Sequence, residues 1–86
     1  MNEKSKENIK KAHIYCRTNR KILTKSSRCG CFYCLKIFEP KEIKDWCDNG
    51  TTAICPYCGI DSLLPENNFY PLTLEFLAAM KKYWFF

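Results

Sequence analysis

The chain has 86 residues, 27% of them charged, seven cysteines and a formal net charge of +5. A chain this short makes one domain and buries only about 60–65% of its unfolded surface, so it needs help beyond its core. No stretch has the length and apolarity to span a membrane, and the polar start Asn2-Glu3-Lys4-Ser5-Lys6 lacks an apolar signal region.

The charge is unevenly placed. Residues 1–28 hold nine Lys or Arg and two Glu, for a net +7, whereas residues 29–86 come to −2. Within the basic part, Ser5 is expected to cap a helix with Glu7 in its first turn. Ile9, Ala12 and Cys16 recur at helical steps with lysines opposite, which predicts a helix over 6–24, broken near Thr18-Asn19. Ile22 and Leu23 are expected in the core, and Lys25-Ser26-Ser27 in a loop. His13 and Cys16 share a face, and His13 is expected half-buried against the β core with its ring hydrogen-bonded.

The strongest signal follows. Cys31-Phe32-Tyr33-Cys34 and Cys55-Pro56-Tyr57-Cys58 are C-x-x-C doublets with twenty residues between them. That spacing is at the long end of the four-thiolate zinc pattern. Two cysteines three apart turn their sulfurs to one side of a tight loop, and a second doublet completes a tetrahedron. Zn²⁺ suits four thiolates because it imposes no d-electron geometry. Pro56 presets φ at the second turn, and Gly59 permits a positive φ that lets backbone amides point at sulfur. Cys31, Cys34, Cys55 and Cys58 are therefore the expected ligands of one zinc ion, with iron as the alternative. Cys29 offers a third thiol beside the first doublet and is read as a small packed residue on a strand leading into it. An odd cysteine count, the absent signal region and the metal spacing all oppose disulfides and favour a reducing cytoplasm.

Leu35 to Phe38 is expected as a strand. Pro40 opens a short helix that Lys41 to Trp46 fill, with Ile43 and Trp46 on one face and Cys47 packed at its end. Asp48-Asn49-Gly50 marks a turn. Thr51 to Ile54 is β-prone, and Ile60 to Leu64 is expected to return as its partner. Pro65 to Asn68 reads as a turn and Phe69 to Leu72 as extended. Thr73 caps a last helix whose Leu72, Phe76, Ala79, Met80 and Tyr83 repeat at helical steps. Leu77 and Trp84 fall on an adjoining face. The terminal run Tyr83-Trp84-Phe85-Phe86 cannot all face one core.

The expected fold is a small α+β metal-stabilised domain. It has a zinc-ribbon-like β core at 29–64, a basic helical arm at 1–28 and an aromatic C-terminal helix at 65–86. A short helical insert separates the two doublets.

The block Cys29-Gly-Cys-Phe-Tyr-Cys34, with Pro40-Lys-Glu-Ile-Lys-Asp-Trp46 and Cys55-Pro-Tyr-Cys-Gly-Ile-Asp-Ser62, resembles a family of small bacterial cytoplasmic proteins of unassigned function. The resemblance runs from about His13 to Tyr83-Trp84. It implies a zinc-ribbon-like centre on Cys31, Cys34, Cys55 and Cys58, and no reaction. Locally, Cys55-Pro-Tyr-Cys-Gly59 is similar to the second knuckle of rubredoxins, which hold iron in four thiolates.

These features point to a non-catalytic binding module. Lys10, Lys11, Arg17, Arg20, Lys21, Lys25 and Arg28 are the expected nucleic-acid contacts, with Phe32 or Tyr33 stacking on an unpaired base. The rival is a protein contact or homodimer through the C-terminal aromatics. An enzyme is disfavoured, because four thiolates leave a zinc ion no position for water. No small-molecule substrate is evident, and no membrane partner is expected. A thiol redox role through Cys29, Cys16 or Cys47 is the remaining enzymatic alternative, with Arg28 lowering the Cys29 pKa.

Overall fold

Ile9, Ala12 and Cys16, the apolar stripe of the N-terminal segment, are all buried. The computed structural model describes residues 3–85. Helix α1 (Glu3–Ala12) runs into a single 3-10 turn (His13–Cys16), and α2 (Arg20–Lys25) begins after a break. The helix expected over 6–24 is thus three pieces. Thr18 breaks it, with a φ of +50°, a left-handed value that a regular helix does not contain. Ser5 lies inside α1, not at its start. Leu23 is fully buried, but Ile22 is 39% exposed and does not join the core.

Five short strands follow: β1 (Cys29–Cys31), β2 (Ile37–Phe38), β3 (Asp45–Cys47), β4 (Thr52–Ile54) and β5 (Leu63–Pro65). They form two antiparallel sheets, one ordered β2-β1-β5 and the other a β3-β4 hairpin. β1 sits in the middle, with Cys29 opposite both Phe38 and Pro65. All three β1 residues are buried, so an unpaired edge there would hide unsatisfied backbone groups. β5 supplies that edge.

Three expectations fail here. The segment Ile60 to Leu64 does not pair with Thr51 to Ile54; its end pairs with β1, and β4 takes β3 instead. The expected helix through Lys41 to Trp46 shrinks to one 3-10 turn, Pro40–Glu42, closed by a reciprocal capping box between Glu39 and Glu42. Trp46 lies in a strand opposite Ala53. The reason is the Asp48-Asn49-Gly50 turn, where all three φ values are positive. Such a turn folds the chain back on itself, and Thr52 to Ile54 then satisfies the backbone of Asp45 to Cys47. Pro65, expected in a turn, ends β5, where an edge strand tolerates its missing donor.

The two sheets are not hydrogen-bonded to each other directly. Asn19, 1% exposed, fills the seam between them. Its amide nitrogen donates to Leu63 O at 3.0 Å and to Tyr15 O at 2.9 Å, while its oxygen accepts from Ala53 N at 3.0 Å. Thr18 N also donates to Thr52 Oγ1 at 2.7 Å, and Arg20 N to Thr51 O at 3.0 Å. The break in the N-terminal helix is therefore what laces that segment to β4.

The last helix, α3 (Leu74–Trp84), starts where Thr73 accepts a bond from Phe76 N at 3.1 Å. Phe76, Leu77 and Met80 bury one face of it, with Ile9 and Ala12 of α1 in the same cluster. Alternation along β1 turns Gly30 toward this layer and leaves Cys29 and Cys31 in the opposite cluster with Leu23, Phe38 and Leu63. A Cβ at Gly30 would stand 2.8 Å from Leu77 Cδ1 and 3.1 Å from Leu72 Cδ1. Both leucines are buried and have little room to yield. Gly30→Ala is expected to cost about 1–3 kcal/mol through overpacking, read as a lowered denaturation midpoint at unchanged m-value. Among the described residues, no helix is long and apolar enough to cross a membrane.

Candidate metal centre

Two backbone turns of the same design face each other. In the first, Leu35 N donates to Cys31 O at 2.9 Å and Cys31 N to Lys36 O at 3.0 Å. In the second, Gly59 N donates to Cys55 O at 2.9 Å and Cys55 N to Ile60 O at 3.0 Å. Position by position these bonds correspond, and both turns place their fifth residue at positive φ, +66° for Leu35 and +78° for Gly59. Glycine adopts this conformation freely, while leucine does so at a cost of about 1–2 kcal/mol. The first turn thus keeps its shape despite lacking the glycine, because partly buried Leu35 packs against the core.

These turns bring the four sulfurs of Cys31, Cys34, Cys55 and Cys58 to within 4.8 Å of one another. Two pairs cross between turns, Cys31 to Cys58 at 3.6 Å and Cys34 to Cys55 at 3.7 Å. Disulfide sulfurs would be about 2.05 Å apart. A tetrahedral ion with metal–sulfur bonds of about 2.3 Å holds its sulfurs about 3.8 Å apart. The observed spacing fits the second case, and the four cysteines are placed to hold a metal ion.

Donors around the sulfurs fit thiolates. Cys31 Sγ accepts from Tyr33 N at 3.3 Å and Cys34 N at 3.4 Å, and lies 3.1 Å from Ser62 Oγ. Cys55 Sγ accepts from Tyr57 N at 3.4 Å. Burial pushes the Cys31 thiol up, but the Ser62 hydroxyl and the two amides outweigh it and bring it below its usual range. For Cys55 and Cys58, burial wins and both thiols are pushed up. A bound cation would offset the mutual repulsion and lost hydration of thiolates brought this close together. Sequence reasoning missed Ser62, whose place beside Cys31 depends on β5 pairing with β1.

The other three cysteines stay outside the cluster. Cys29 is fully buried in the core beneath β1, as a packed residue. Its expected activation by Arg28 does not occur: the Arg28 guanidinium is held by Glu66 at 2.9 Å, and burial pushes the Cys29 thiol up to about 12. Burial likewise pushes the Cys16 thiol up. Cys47 closes β3 opposite Thr52 and is half-buried.

The seven basic residues singled out in the sequence are all exposed, but they differ in what they do. Arg28 is tied to Glu66. Arg20 donates to Gly50 O at 2.9 Å and lies over the Trp46 ring, 4.5 Å from its centroid. Lys10, Lys11, Arg17, Lys21 and Lys25 form no ion pair among the described residues. Phe32 is buried at 2% exposure, so it is no stacking platform; Tyr33 beside it is exposed. His13 is half-buried, as expected, but its ring lies tilted against Trp84, with centroids 3.9 Å apart. Burial and the nearby Arg17 charge push its pKa down.

Tyr83, Trp84 and Phe85 all keep part of their rings in solvent, and Phe86 lies outside the described residues. Comparison with protein-family models, with curated proteins and with solved structures finds no match to this chain. The four-sulfur centre therefore rests on its own geometry.

Proposed function

We propose that Cys31, Cys34, Cys55 and Cys58 bind one zinc ion, and that the zinc-ribbon-like domain it holds is a non-catalytic binding module for nucleic acid. The observation that supports the metal is the sulfur spacing of 3.6–3.7 Å across two matched turns. Four sulfurs complete a tetrahedral shell and leave no open position for water, so the ion is structural. Elemental analysis of protein purified without added metal is expected to give one zinc per chain. Iron instead would turn the reading toward an electron carrier, and no metal would remove it.

Nucleic acid is supported by the concentration of charge. The N-terminal 28 residues carry +7, and Lys10, Lys11, Arg17, Lys21 and Lys25 are exposed without ion-pair partners among the described residues. Five phosphate contacts on a single strand would give a slope of log K against log salt near −3.5. A flat salt response, or no binding at low salt, would count against this reading.

A second reading has its own support. Tyr83, Trp84 and Phe85 are each 38–44% exposed at the end of α3. A homodimer or a docked protein would cover them. Sedimentation at tens of micromolar separates the cases, since a strict monomer excludes the homodimer.

A further inference from the structure

Beside the metal centre lies a cavity of about 300 Å³, at the small end of the range for ligand pockets. Its walls mix aromatic and charged groups. Trp84 and Phe85 offer partly exposed rings, and His13 backs Trp84; Arg17 brings a positive charge and Asp48 and Asp61 negative ones, of which Asp48 already accepts from Thr52 Oγ1 at 2.8 Å. Arg17 and Asp61 lie on different segments of the chain, and neither forms an ion pair among the described residues. They flank the cavity as separate groups rather than neutralising each other. The Trp84 indole donates to Ile9 O at 3.4 Å, which anchors the end of α3 and this wall.

Phe85, in the cavity wall, also touches a second aromatic residue outside the lining, Tyr33. The Phe85 ring meets Tyr33 edge-on at 4.9 Å, and the Lys81 ammonium lies 4.9 Å from the centroid of the Tyr33 ring. Tyr33 is exposed. Two aromatic positions thus adjoin one another: Trp84 and Phe85, in a wall shared with Arg17, and Tyr33, with the Lys81 ammonium beside its ring. This is the composition of a single-strand interface, in which bases stack on rings and phosphates meet cations.

Asp61 adds base selectivity. A carboxylate only accepts hydrogen bonds. Guanine alone presents two adjacent N–H donors on its Watson–Crick edge, whereas thymine, uracil, cytosine and adenine each present one donor group there. A carboxylate beside a stacked base therefore favours guanine.

We propose that this cavity binds one unpaired guanine of a single-stranded nucleic acid, with Asp61 on the base edge, Arg17 on a phosphate, and the neighbouring base on Tyr33. This rests on the nucleic-acid reading above and moves its centre from the N-terminal lysines to the cavity beside the metal site.

The test uses the full metal-loaded chain and labelled ten-nucleotide strands, one all thymine and one with a single central guanine. Fluorescence anisotropy at low salt is expected to show the guanine strand bound roughly tenfold tighter, in line with a charge-assisted bond. Asp61→Asn should erase that preference without weakening the thymine strand, whose affinity should hold or rise slightly as a negative charge is removed. Arg17→Gln should weaken both strands and lower the salt slope by about 0.7. Tyr33→Leu should weaken both strands by roughly tenfold, through lost stacking. Equal affinity for the two strands, or an Asp61→Asn variant that keeps the preference, overturns the guanine site. Binding that is lost only when Lys10, Lys11, Lys21 and Lys25 become glutamine overturns the cavity but keeps nucleic acid as the partner. No binding of any strand overturns both. Guanosine monophosphate competing as well as the guanine strand overturns the strand form, because Tyr33 and Lys81 would then add nothing.

Discussion

Stripping the proposed metal from this protein is expected to unfold it. Structural zinc sites contribute on the order of 10–16 kcal/mol of apparent binding energy, as much as the whole stability of an ordinary small domain. Little else here replaces that contribution. The strands are two or three residues long, and the two sheets share no backbone ladder. The metal would join the turn after β1 to the turn after β4, one from each sheet. Excess chelator should therefore abolish the cooperative thermal transition and the near-ultraviolet signal of the tryptophans. Cys31→Ser should do the same without chelator, because it removes the most fully bonded of the four sulfurs. Cys47→Ala, outside the cluster, should shift stability by about 1 kcal/mol or less. A metal-free chain that keeps a cooperative melt within a few degrees of the loaded one would refute the coupling.

The second large effect is expected at Asn19. Its side chain makes three hydrogen bonds, two of them fully buried, and it is the polar link between β4 and β5. Those strands lead into and out of the second cysteine turn. Asn19→Ala would leave Ala53 N and Leu63 O without these partners, at roughly 3 kcal/mol in total. For a domain of this size that lowers the melting temperature by more than about 10 °C. Asn19→Asp should be at least as damaging. Its carboxylate still accepts from Ala53 N but cannot donate to the carbonyls of Leu63 and Tyr15, and it buries a charge. Both variants should also lose metal faster to a competing chelator, since the second turn loses its anchor. Arg20→Ala, which removes an exposed bond and a ring contact, should cost about 1 kcal/mol or less. Equal costs at positions 19 and 20 would show that Asn19 is not the bridge described.

The cysteine turns were legible in the sequence because their chemistry is local. A doublet three residues apart closes its own loop, and Gly59 adopts its positive φ wherever the loop is built. The cap at Thr73 and the apolar face of α3 are local in the same way. Partner choice among strands is not. Thr51 to Ile54 has the composition of a strand, yet whether it joins Asp45 to Cys47 or the segment after the second turn depends on which edge is left unpaired. The helical spacing of Ile43 and Trp46 was real, but the Asp48-Asn49-Gly50 turn and a waiting partner strand overrode it. Thr18-Asn19 read only as an interruption, since nothing nearby in sequence reveals the three bonds that await the Asn19 amide 4 to 44 residues away.

What the sequence determined by itself was the four-cysteine set and the start of α3 at Thr73, where bonds form between residues a few positions apart. Tertiary structure alone decided which sheet each strand entered, why Gly30 must lack a side chain, and how Arg17, Asp61 and the terminal aromatics came to line one cavity. Those outcomes depend on burial and on backbone groups from distant segments needing partners, and no local pattern of residue types encodes which distant group is free.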